Sequence, residues 1–128
     1  DNFDGSYPCS CTSEPFDPNS ISSLLPEMNK FWPSYSSSGS TSFWNHEWSK
    51  HGTCATYNST FIKTQKDFFS DALALRSKFG ITTALQSAGI TPSDSRKIKS
   101  SDVQYGVSKS IGSKAAISCD QDGNLETV

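Results

Sequence analysis

Ile21, Leu24, Leu25 and Met28 recur at helical spacing and predict a first helix. Asp17-Pro18 starts it, with Asp as the cap and Pro in the first turn. Pro26 breaks that helix or splits it into two short ones, and Pro33 ends the segment. Residues 34–42, SYSSSGSTS, read as a flexible loop, too short to be a domain linker. The clearest helix runs from about Phe61 to Phe79, with Phe61, Phe68, Phe69, Ala72, Leu73 and Phe79 on one side and Gly80 closing it. A short helix from about Thr82 to Ser87 stops at Gly89. Ser101 then caps a helix in which Val103, Val107 and Ile111 recur every fourth residue, and Gly112 terminates it. Ala115 to Cys119 reads as a strand, Asp122-Gly123-Asn124 as a turn, and Leu125 to Val128 as the start of another strand. Several helices with few strands give an α+β class in which some of the sheet is missing.

Length and composition narrow this picture. At 128 residues the chain is expected to be one domain, 1–128, with a modest core, since 34% of residues are hydrophobic. No run of about 18 apolar residues exists, so no membrane span is expected. No signal peptide is visible, and a mature secreted chain would have lost it. The net charge of −2 argues against a protein that lives by non-specific attraction to nucleic acid. It leaves room for a nuclease, because a local pocket can bind one phosphate on an acidic protein.

Cys9, Cys11, Cys54 and Cys119 lack the CxxC spacing of a zinc ribbon. Cys9 and Cys11 are too close to pair comfortably, so disulfides to distant partners are the better reading. Asn58-Ser59-Thr60 is an N-glycosylation sequon. With the cysteines it favours an oxidising, secretory compartment.

Both histidines lie in FWNHEWSKHGTC, residues 43–54. On a regular helix His46, Lys50, Glu47 and His51 fall within an arc of roughly 140°, while Trp48 points the other way, towards a core. Gly52 lets that helix end at once. Two imidazoles, an ammonium and a carboxylate on one site suit phosphoryl transfer: lysine stabilises charge growing on phosphate oxygens, imidazole moves protons, and a carboxylate orients either. The histidines are five apart rather than four, which disfavours a zinc protease, and no elbow motif supports a serine triad. A polar helix with a satisfied His–Glu pair is the plain structural alternative. Cleaving RNA by attack of the 2′-hydroxyl needs an acid and a base on opposite sides of the phosphorus. Two histidines from one short segment can hardly straddle it, so the cluster reads as half an active site.

FWNHEWSKHGTC resembles the second active-site segment of the ribonuclease T2 family, metal-independent acid RNases of secretory and lysosomal or vacuolar compartments. The resemblance extends over essentially the whole chain, through DGSYPC, FDPNSISSLLPEMNKFWP, SAGITPS and ISCDQDGN. It implies a T2-type α+β fold, helices packed on an antiparallel sheet that is incomplete in this chain. It also implies cleavage of single-stranded RNA through a 2′,3′-cyclic phosphate, with no metal and no cofactor. In that resemblance His51 is the general acid/base histidine, Glu47 and Lys50 stabilise the pentacovalent transition state, and His46 binds phosphate. Trp44 and Trp48 pack or frame. Asp1, Tyr7 and Phe43 match base-binding positions, with core packing the alternative for Phe43 and an ordinary loop aromatic the alternative for Tyr7. Cys11 matches the cysteine that pairs with Cys54, and Cys119 matches one whose partner lies beyond Val128; a Cys9–Cys119 bridge is the alternative.

Family members carry a further His upstream, in a His-Gly-Leu-Trp-Pro-Asp segment whose last residue matches Asp1. The isolated chain is therefore expected to be inactive, with a second polypeptide piece of the same protein supplying the missing strands and His. The competing expectation is a non-catalytic RNase-like protein for storage, defence or binding. Localisation is expected to be secreted, or lysosomal or vacuolar.

Overall fold

The computed structural model describes residues 8–128, so the expectations for Asp1 and Tyr7 lie outside the described residues. Two compact units follow one another along the chain, one ending at Leu75 and the other running from Arg76 to Val128.

In the first unit Asp17 caps as expected, its carboxylate accepting from Asn19 N–H at 2.9 Å. The helix it starts is a 3₁₀ helix, Pro18–Leu24, which passes into α1, Leu25–Phe31. The change of winding falls between Leu24 and Leu25, just before Pro26, which has no N–H to give to the preceding turn. The loop expected over 34–42 is only half a loop, because α2 begins at Gly39 and runs to Glu47. Serine hydroxyls bonded to one another and to the backbone hold the turn before it, including Ser40 Oγ accepting from Ser34 N–H at 3.1 Å. The helix does not end at Gly52 either. It passes through a π turn, Trp48–Gly52, into α3, Thr53–Asn58.

The long helix α4, Gln65–Lys78, starts four residues later than its apolar pattern predicts. Ser59 Oγ accepts from the N–H groups of Phe61 and Ile62, a local turn that competes with helix. Thr64 and Asp67 then set the true start. Thr64 Oγ1 accepts from Asp67 N–H at 3.1 Å, and Asp67 Oδ2 accepts from Thr64 N–H at 2.9 Å and Lys63 N–H at 3.1 Å. Phe61 is left 89% exposed, outside the apolar face assigned to it.

Ile21, Met28, Trp44, Trp48, Phe69 and Leu73 form the core of this unit, with Phe16, Leu24, Leu25, Phe31, Trp32, Phe43 and Phe68 packed against it. The aromatic contacts are mostly edge-to-face, with Phe69 at 5.5 Å from Trp32 and 6.0 Å from Phe16 between ring centroids. Gln65 is a buried strut: its Oε1 accepts from Asp17 N–H at 2.9 Å and its Nε2 donates to the Pro15 carbonyl at 2.8 Å.

In the second unit α5, Ile81–Ser87, packs on α6, Ser100–Ile111, through small residues. A Cβ added at Gly106 would lie 2.6 Å from the Ala88 Cβ, so the close approach needs glycine. Lys99, not Ser101, is the N-cap of α6, and it makes no side-chain capping bond; Gly112 closes the helix as expected, at φ +72°. The strand predicted over 115–119 shrinks to β1, Ser118–Cys119, paired antiparallel with β2, Leu125–Thr127. The reason is local. Ala115 N–H donates to Ser108 Oγ at 2.9 Å and the Ala115 carbonyl accepts from Gln104 Nε2 at 2.7 Å, so α6 takes the groups a ladder would use. Among the described residues this ribbon is the whole sheet.

Candidate active site

The segment with both histidines is one helical run from Gly39 to Asn58, pinned by two tryptophans one turn apart. Trp44 is 2% exposed and donates its indole N–H to the Trp32 carbonyl at 2.8 Å. Trp48 is fully buried and donates to the Glu14 carbonyl at 3.0 Å. Burying two indoles with both N–H groups satisfied fixes which side of the helix faces the core.

That choice creates a problem for His51. Seven residues on from Trp44, a regular α-helix would bring His51 back to within about 20° of the Trp44 direction, on the buried side. The π turn removes the conflict. Thr53 N–H reaches back five residues to the Trp48 carbonyl, and a turn of this kind holds more than 3.6 residues, so each advances by less than 100°. His51 is thereby held back from the tryptophan side and Gly52 takes its place there. Gly52 is buried, and a Cβ on it would overlap the Trp48 ring at Cε3 and lie 3.1 Å from Phe68 Cδ1. The segment needs glycine for space, not for backbone freedom.

His46 is exposed near the end of α2, Glu47 is half-buried at its last residue, and Lys50 and His51 are half-buried in the π turn. Phe43 is half-buried and packs on the core cluster. The wide turn is braced from outside, since its Lys50 carbonyl accepts from Ser10 N–H at 3.0 Å. Just beside Ser10, Cys11 is bonded to Cys54, the second residue of α3, across 43 residues of sequence. Thr53, fully buried, returns its hydroxyl to the Ser49 carbonyl at 3.0 Å. Cys9 and Cys119 are free and exposed, so neither forms the Cys9–Cys119 bridge. Asn58 is exposed at the end of α3. Among the described residues no group of three or more His, Cys, Asp and Glu is placed to hold a metal ion. No described helix is long and apolar enough to cross a membrane.

The family model for the ribonuclease T2 family matches residues 1–128. The chain belongs to the ribonuclease T2 family. It is 40% identical over its whole length to Ribonuclease DdI of Dictyostelium discoideum, covering 56% of that protein. It is 38% identical to Extracellular ribonuclease LE of Solanum lycopersicum, over 98% of this chain and 55% of that one. Among solved structures it superimposes on human RNase T2 with a TM-score of 0.84 at 31% identity, over 92% of this chain and 61% of that chain. It superimposes on RNase NT in complex with 5′-AMP with a TM-score of 0.78 at 29% identity, over 97% of this chain and 61% of that chain. The chain spans about half the length of the curated relatives it matches. Its fold is that of the T2 ribonucleases, an α+β fold represented here mostly by its helices.

The spacing of the four polar residues was legible in the sequence; the π turn that holds Lys50 and His51 was not. Its signal was present all the same: two tryptophans at a spacing of four, with a histidine seven residues after the first and a glycine after the histidine.

Proposed function

We propose that this chain carries one half of the active site of an endoribonuclease that cleaves single-stranded RNA by transphosphorylation. What supports the reading is the π turn, Trp48–Gly52, on which Lys50 and His51 stay half-exposed while Gly52 is buried, next to the half-exposed Glu47. In this reading the ribose 2′-oxygen bonds to phosphorus as the bond to the 5′-oxygen breaks. One imidazole takes the 2′ proton and another protonates the leaving 5′-oxygen, giving a 2′,3′-cyclic phosphate. His51 is one of the two. Lys50 and Glu47 together stabilise phosphorus as it becomes five-coordinate, Lys50 by neutralising charge on the non-bridging oxygens, and the exposed His46 holds phosphate. The second imidazole comes from residues of the same protein outside these 128, on the same chain or on a separate piece. Cys119 is a free, exposed thiol suited to a bridge with such residues. Base contacts are assigned to Asp1 and Tyr7, outside the described residues, and to the part of the Phe43 ring that its packing leaves uncovered.

The Cys11–Cys54 disulfide and the exposed Asn58 in its sequon support a secreted, lysosomal or vacuolar glycoprotein, and one relative is itself named extracellular.

Cleavage of a short single-stranded RNA by the complete protein, followed by detection of the cyclic phosphate end, tests the reading. His51→Ala should lower the rate by about 10²-fold or more, and Lys50→Ala by about 10²–10³-fold. Full cleavage by a folded His51→Ala protein would overturn it. A non-catalytic storage, defence or binding protein is the second reading, favoured by the placement of both imidazoles on one helical run. It requires that the folded native protein release no cyclic phosphate from RNA. The mass of the native protein, reduced and unreduced, shows whether further pieces are attached.

A further inference from the structure

The charge of this protein is unevenly placed along its sequence. Up to Leu75 carboxylates outnumber lysines eight to four, whereas from Arg76 onward seven lysines and arginines face five carboxylates. Five of those seven cations sit in residues 96–114, where Arg96, Lys97, Lys99, Lys109 and Lys114 meet a single carboxylate, Asp102. The same segment contains a shallow, open concavity of about 570 Å³ along α6, from Ser101 to Lys109, and the turn that follows.

Gln104, Tyr105, Ser108, Lys109, Ser113 and Lys114 line it. Its base is firmly built, because Gln104 and Ser108 hold Ala115 through its carbonyl and its N–H. Ser108 accepts in that bond and keeps its own O–H to donate. Tyr105 stands 68% exposed on the helix, and Lys109, one turn on, places its ammonium 6.0 Å from the ring centroid. Lys109 and Lys114 both border the hollow.

We infer that this face of α6 is an accessory binding surface for single-stranded RNA, with Tyr105 stacking a base and Lys109, Lys114 and the Ser108 hydroxyl contacting the adjacent phosphates. An exposed aromatic ring beside cations is the combination that binds single strands without sequence preference. RNA is favoured over other occupants by charge and by stacking together: the segment is basic in an otherwise acidic protein, and the ring is held out beside the charge that would neutralise a phosphate. The surface rests on the nuclease reading only for the choice of polymer, since none of its residues belongs to the segment that carries His51.

The test is binding of a 2′-O-methyl oligonucleotide, which cannot be cleaved through its 2′-oxygen, to the complete protein, compared with cleavage of a dinucleotide too short to reach a second surface. Tyr105→Ala should weaken oligonucleotide binding about five-fold or more. Lys109→Ala with Lys114→Ala should reduce the salt dependence of binding by about 1.4 in the log–log slope, roughly 0.7 for each phosphate no longer neutralised. Lys109→Arg with Lys114→Arg should preserve the slope. Dinucleotide cleavage should be unchanged in all of these. Unchanged affinity and slope in the alanine variants would overturn the accessory surface while leaving the assignment of His51 untouched. Equal loss of binding for a base-free polyphosphate in Tyr105→Ala would remove the stacking role and overturn the proposal as stated.

Discussion

Gly52 shows how much one missing side chain decides. The direction it occupies is where a regular helix would put His51, and it is available only because Trp48 lies over a bare Cα. Gly52→Ala forces the Trp48 ring and Phe68 to shift, an overpacking cost of about 1–3 kcal/mol, to be read from the urea midpoint. Because the displaced ring is the one that sets the helix orientation, RNA cleavage should fall further than the loss of folded protein explains. An alanine variant with unchanged stability would show that the turn relaxes freely. The four polar residues of the candidate site were readable from adjacency alone. Their angular arrangement was not, because an arc counted at 100° per residue ceases to apply after Trp48, where the winding widens. Phe61 failed for a similar local reason: the Ser59 hydroxyl captures the N–H groups that would have begun the helix.

At the scale of elements, α4 is defined by its first turn and its buried face. The Thr64–Asp67 box supplies the start, and Thr64→Ala should cost about 1 kcal/mol in global stability. Hydrogen bonds from Lys63 N–H and from Thr64 hold the Asp67 carboxyl below the ordinary aspartate range, with Lys66 nearby adding to the effect. The unfolded chain therefore takes up this proton first as pH falls. The stabilisation is complete above the ordinary aspartate value and is lost as pH drops through the lowered one. A carboxyl-resonance titration of the folded protein should show Asp67 titrating below exposed aspartates, and Asp120, held by Asn124 in the β1–β2 turn, should behave the same way. On the buried face Phe69 is fully enclosed, and Phe69→Ala should cost about 3–5 kcal/mol. A thermal shift within the range of surface variants would contradict that placement.

At the scale of the molecule, the Cys11–Cys54 bridge ties the segment before the first helix to α3, just after both histidines. Closing 43 residues of separation stabilises by about 4 kcal/mol through the unfolded chain. Cys11→Ser with Cys54→Ser should lower the denaturation midpoint accordingly. It should also release the Ser10 N–H bond to Lys50, so that hydrogen exchange at Ser10 quickens before the helix itself opens. Equal exchange at Ser10 with and without the bridge would show that the hydrogen bond stands alone.

The sequence by itself determined the family, most helices, and ends such as the Asp17 cap and the Gly112 stop, because these depend on neighbours within a few positions: a cap, a proline, a left-handed glycine, a run of motif residues. Tertiary structure decided which carbonyls anchor Trp44 and Trp48, that the run widens at Trp48 over Gly52 and Phe68, and that Gln65 ties the 15–17 segment to the start of α4. Each of these is settled by a hydrogen bond or a ring contact between positions up to 50 residues apart. Local pattern carries no record of such partners, since the same residues would satisfy their polar groups with water until the chain folds.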